Sequence, residues 1–202
     1  ITLFLQNSRE EALKYGHVNP VYPIFWTWSS FKYKQWHSNV KIESRPFLVN
    51  IPGTGGCEQR RKMSLILRKD FEENGFEIWE SDFSLNEAEY ISCLKKCRFI
   101  FTTCFIQPEF FTGVGKYNEL ISKYTITGRV WEAFAAGAIL LTNRNDLLEA
   151  LNFFEGEHYL SIDSSFKFSK NISSINIKDL NKIAENGQKR FEKLINKKFI
   201  IN

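Results

Sequence analysis

No stretch of this chain reaches the roughly 18 consecutive apolar residues that a membrane-spanning helix requires. The opening I-T-L-F-L is too short for a signal-peptide core and lacks a basic lead. Cysteine is sparse: Cys57, Cys93, Cys97 and Cys104 are the only four in 202 residues, which excludes a disulfide scaffold. Histidine is sparser still. His17, His37 and His158 are scattered, so no Cys/His spacing suited to zinc exists. Buried free thiols and no metal are expected. Basic residues form no stripe: 27 Lys and Arg stand against 23 Asp and Glu, a net charge of +4. That balance tolerates an anionic ligand and argues against a dedicated nucleic-acid binder. The chain begins with Ile rather than Met, which suggests a trimmed or partial piece of a longer protein.

What is present is enough for one packed domain. Hydrophobic residues make up 43% and charged residues 25%, ordinary values for a globular core. Residues 1–46 are irregular, with Pro20, Pro23 and Pro46 and the aromatic cluster F-W-T-W at 25–28. They read as loops and short strands, a linker or the remnant of a preceding domain. From residue 47 a rhythm sets in. The apolar runs 47–51, 76–79, 98–104, 138–142 and 158–162 read as strands. Between and after them, Glu58 to Asn74, Asn86 to Cys97, Arg129 to Ala136, Leu147 to Phe154 and about 178–196 read as helices. Gly75 fits a C-cap, and Asn86 with Glu89 has capping-box spacing. Short apolar strands alternating with helices imply an α/β fold, a Rossmann-like doubly wound parallel sheet over residues 47–202. Ligands of such sheets bind beyond the carboxyl ends of the strands.

Three stretches at those ends carry candidate chemistry. P-G-T-G-G at 52–56 lies between a strand and a helix, where glycine lets backbone N–H groups approach a phosphate. Gly53, Thr54, Gly55 and Gly56 are the candidates. No Lys-Ser/Thr pair follows, which excludes a P-loop, and Glu58 stands where a dinucleotide fingerprint has its third glycine. The second stretch, T-G-R-V-W-E, starts a helix at Thr127 or Gly128. The open N–H groups there and Arg129 suit a phosphate, and Glu132 can accept from a diol. A plain i,i+3 ion pair on a helix surface explains Arg129 and Glu132 equally well. The third is the long segment 105–128, placed where a substrate lid would be, with Gln107 and Tyr124 as candidates.

At this point the residues resemble a family. R-V-W-E-A-F-A-A-G-A-I-L-L-T-N, then D-L-L-E-A-L, then F-F-E-G-E-H-Y-L-S-I-D resemble the carboxyl-terminal, donor-binding domain of glycosyltransferases with the two-domain GT-B fold. The likeness is to the "glycosyl transferases group 1" type related to spore-maturation glycosyltransferases, and it covers about 98–196. It implies that Glu132 holds the ribose of a nucleotide-sugar, that Thr127, Gly128 and Arg129 hold its diphosphate, and that Gly53 to Gly56 line the cleft. Retaining members carry a second Glu eight positions earlier; here that position is Tyr124, so retaining and inverting outcomes both stay open. No general base stands out among Glu109, Asp146 and the three histidines. The chain contains no Asp-x-Asp, and no metal or other cofactor is implied. The implied partners are a nucleotide-sugar donor, a glycan or glycoconjugate acceptor and a missing amino-terminal domain. A peripheral membrane contact stays open, and the implied compartment is the cytoplasm. A non-catalytic nucleotide-binding or interaction module with a degenerate site is the alternative.

Overall fold

The expected alternation of apolar strands and amphipathic helices closes into a single parallel sheet. The computed structural model describes residues 30–46, 48–51, 58–79, 85–102, 126–144, 146–162 and 174–196. In chain order they form α1 (Ser30–Trp36), a 3-10 turn (Ile42–Ser44), β1 (Leu48–Asn50), α2 (Glu58–Glu73), β2 (Glu77–Trp79) and α3 (Glu87–Lys96). Then follow β3 (Phe99–Phe101), α4 (Gly128–Ala135), β4 (Ile139–Thr142), α5 (Asp146–Ala150), β5 (Leu160–Ser161) and α6 (Ile177–Asn196). The sheet order is β2-β1-β3-β4-β5, and every strand pair is parallel. The chain steps from β1 to β2 on one side and returns to lay β3 on the other. The topological switch point is therefore the crevice beyond the carboxyl ends of β1 and β3.

Strand periodicity divides the core into two layers. Phe99, Phe101, Ile139 and Leu141 join Val49, Met63, Leu67 and Phe71 on the α2 face. Ile100 and Leu140 point the other way, into the layer with Trp131, Phe134, Phe153 and Leu94. The long helix α6 serves both layers. Leu180 and Ile183 belong to the first and Phe191 and Leu194 to the second. Trp131 stacks on Phe191 at 5.3 Å, and Phe134 on Phe153 at 4.5 Å.

The helix ends follow their local chemistry. Asn86 and Glu89 form the full capping box that opens α3. Gly75 and Gly137 take positive φ after α2 and α4, and Phe76 N–H and Ala138 N–H close back on Phe71 O and Ala133 O. Helix α5 is shorter than the expected Leu147 to Phe154. Asn152, with φ 59, ends it, and Phe153 N–H returns to Leu148 O. Residues 30–46 differ from the expected loops and short strands. They contain α1, whose Tyr33 and Trp36 are buried in the same layer as Trp131. Seven residues carry little local helical signal; packing fixes the element.

Arg45 sits at the amino-terminal edge of the sheet, opposite the switch point. It is 3% exposed and donates to carbonyls from Val40, Cys97 and Ala136 at 2.9–3.0 Å. Cys97 and Ala136 are the C-caps of α3 and α4. One guanidinium thus serves carbonyls that two helix ends leave without intrahelical partners, where the helix dipole favours a cation.

Candidate functional site

Asn50 ends β1 and alternates with Val49, so it faces the α3 and α4 side of the sheet at the switch point. It is fully buried, a place where a polar side chain needs partners. Its Nδ2 donates to Trp79 O at 3.1 Å, and its Oδ1 accepts from Arg129 Nη1 at 2.7 Å. The end of β1 thereby holds Arg129, in the first turn of α4, against the strand-end crevice. Arg129 also lies 5.5 Å above the ring of Tyr90, and its Nε is 3.8 Å from Glu132 Oε2. The same carboxylate oxygen accepts from the Tyr90 hydroxyl at 2.8 Å. Burial pushes the Tyr90 hydroxyl well above the usual phenol range; Arg129 opposes the shift and Glu132 reinforces it. At neutral pH Tyr90 is therefore a donor.

The start of α4 has a second anchor. Thr127 is the N-cap residue, but its side chain makes no capping bond. Instead its Oγ1 lies 3.1 Å from Thr102 Oγ1, which follows β3. This contact brings the helix start, the positive end of the helix dipole, to the carboxyl end of β3. Nothing lies within 4 Å of where a Cβ on Gly128 would be, so the space beside the helix start is open.

Four expected site residues, Thr127, Gly128, Arg129 and Glu132, are thus consecutive or one turn apart on the switch-point edge. Arg129 and Glu132 also form the i,i+3 pair that the spacing allows, with side chains about one-fifth to one-quarter exposed (21% and 24%). Gly53, Thr54, Gly55, Gly56, Gln107 and Tyr124 lie outside the described residues, as do Cys57, Cys104, Glu109 and His17. Of the other candidates, Asp146 begins α5 on the same edge, after β4. His158 precedes β5, at the opposite edge, and its Nδ1 accepts from Phe154 N–H at 3.0 Å. Both ring nitrogens of His37 are engaged, by Tyr33 at 2.9 Å and Asn39 at 2.6 Å. Cys97 is a buried free thiol, pushed up to about 12 chiefly by burial. Among the described residues no group of three His, Cys, Asp or Glu could hold a metal. No described helix is long and apolar enough to cross a membrane.

Asn50, Tyr90 and Thr102 were not singled out from the sequence. The one available signal was Asn50, a polar residue at the end of an apolar run.

A parallel sheet of this order, with Arg129, Glu132 and two threonines at its switch point, defines a Rossmann-like domain, the architecture of one half of a GT-B fold. The sequence model of the family described as "Glycosyl transferase-like" matches residues 62–196, and the chain belongs to that family. Among solved structures, the chain is similar to the C-terminal domain of the glycosyl transferase group 1 family protein LpcC from Francisella tularensis. That similarity has a TM-score of 0.50 at 10% identity and covers 80% of this chain and 96% of that one. At such identity the likeness is one of fold. No curated protein matches the chain in sequence.

Proposed function

We propose that this chain is the donor-binding domain of a glycosyltransferase that moves a sugar from a nucleotide-sugar to a glycan or glycoconjugate. The supporting observation is the placement of Arg129, held by Asn50, at the start of α4 beside the switch point. In this reading Thr127, Gly128 and Arg129 receive the diphosphate, Glu132 the ribose, and Gly53 to Gly56 line the cleft. The leaving diphosphate gains negative charge as the glycosidic bond breaks. A guanidinium and preoriented N–H groups stabilise that charge without requiring a metal. A glycosyl transfer of this type also calls for a second domain to hold the acceptor.

A specific observation favours a second reading, a nucleotide-binding module without turnover. Tyr124 stands where retaining members of the family carry a second Glu, so the chain offers no second donor-site carboxylate at that position. Both readings meet one experiment. The chain is mixed with UDP-, GDP-, ADP-, CMP- and dTDP-linked sugars, and thermal shift and donor hydrolysis are followed. A shift with hydrolysis supports the transferase, and a shift alone supports the module. No shift with any donor sinks both. Glu132→Ala is expected to weaken nucleotide binding roughly ten-fold or more while the domain stays folded; equal binding removes the ribose role.

A further inference from the structure

We propose that Tyr90 is a positioning residue of this site. Its hydroxyl fixes the Glu132 carboxylate so that Oε2 is held by the protein and Oε1 is presented to the ribose diol of a ribonucleoside diphosphate. The inference rests on the ribose role given to Glu132. A glutamate has three side-chain torsions and does not hold a defined orientation unaided. Its nearest cation, Arg129, leaves Nε 3.8 Å from Oε2, beyond hydrogen-bond distance. The Tyr90 hydroxyl at 2.8 Å is the short contact, and Oε1 has no hydrogen bond among the described residues.

Tyr90 can impose this geometry because its ring is itself fixed. Trp36 meets it edge-on at 5.9 Å, Trp79 lies tilted at 6.2 Å, and the Arg129 guanidinium covers it at 5.5 Å. Without the hydroxyl, Glu132 is free to close onto Arg129 as a paired fork, the geometry that guanidinium and carboxylate favour. Such a pair removes the diol acceptor. Tyr90 comes from α3, 42 residues away in sequence. The orientation of Glu132 is therefore set by a neighbouring helix and not by its own.

The test is a double-mutant cycle by calorimetry on the 202-residue chain. The probes are UDP, GDP and ADP, with inorganic pyrophosphate as the ribose-free control. Tyr90→Phe keeps the ring and its packing and is expected to melt within a few degrees of the parent. It is expected to lower affinity for the nucleotide that binds by roughly ten-fold, and to lower it more than the affinity for pyrophosphate. In a Glu132→Ala background the same change is expected to have no further effect on that ratio. Equal losses for nucleotide and pyrophosphate, or the same loss with and without Glu132, overturn the positioning role and leave the donor reading standing. Failure of the parent to bind any of the three nucleotides overturns the positioning role, which needs a ribonucleoside diphosphate; the donor reading falls only if none of the five donor sugars binds either.

Discussion

Arg45 is the side chain whose loss the fold would register most clearly. Burial, opposed more weakly by Cys97, pushes its guanidinium down to about 10, so it remains charged at neutral pH. Its described partners are all carbonyl oxygens, two of them helix C-caps. Removing it leaves buried acceptors unsatisfied, a loss felt even where shape is conserved. Arg45→Met is expected to cost about 3 kcal/mol in urea unfolding. Arg45→Lys is expected to restore little of that loss, because one ammonium cannot span carbonyls that the fork reaches together. Full recovery with Lys would mean that charge alone matters at this position. Arg45 was not legible in the sequence for a plain reason: the two helix-end carbonyls among its partners are 52 and 91 residues away. The same holds for Asn50, 79 residues from Arg129. Arg129 and Glu132 could be picked out because helix periodicity places them on one face.

Elements were more legible than side chains, because parallel strands buried on both faces leave apolar runs that local windows detect. Helix α1 escaped because its aromatics resemble strand formers, and its partners, Phe191 and Tyr90, lie elsewhere in the chain. At this scale α6 carries the sharpest constraint. Gly187 is buried where α6 passes Phe134 of α4 and the His158 carbonyl. A Cβ there would stand 2.7 Å from His158 O and 2.9 Å from Phe134 Cδ1. The first neighbour is backbone and the second a stacked ring, so neither yields easily. Gly187→Ala is therefore expected to destabilise by about 1–3 kcal/mol despite alanine's better helix propensity. Gly128→Ala is the control, since a Cβ there meets nothing within 4 Å. Its unfolding midpoint should match the parent's, so that any loss of nucleotide affinity reports on the ligand alone. A stabilised Gly187→Ala variant would show that α6 can move away from His158 and Phe134 at little cost.

For the molecule as a whole, the two core layers differ in what they bury. Cys97 and Tyr33 belong to the layer under α1, α3 and α4, and Tyr90 packs against it. Burial is the leading cause of a raised pKa for all three: Cys97 to about 12 from 9.0, and Tyr33 and Tyr90 well above 10.0. The sign follows. As pH rises past 9.0 and then 10.0, the unfolded chain releases protons that the folded chain retains. The unfolded state then binds fewer protons, and stability falls with pH. Arg45, lowered to about 10, acts with the opposite sign and only above that value. Lys95, shifted down by burial, also opposes the fall near its ordinary 10.5. The urea midpoint should therefore hold near neutrality and decline between about pH 8.5 and 10. His158, lowered mainly by burial, produces a separate decline as pH drops below its ordinary 6.5. Cys97→Ala changes core volume as well as titration, so the quantity to compare is the slope of midpoint against pH. A shallower alkaline slope in Cys97→Ala, and a shallower one again with Tyr33→Phe, would assign the decline to this layer. A parent midpoint that stays level across that range would show that the buried thiol and phenols ionise as easily folded as unfolded, and that the layer is open to water.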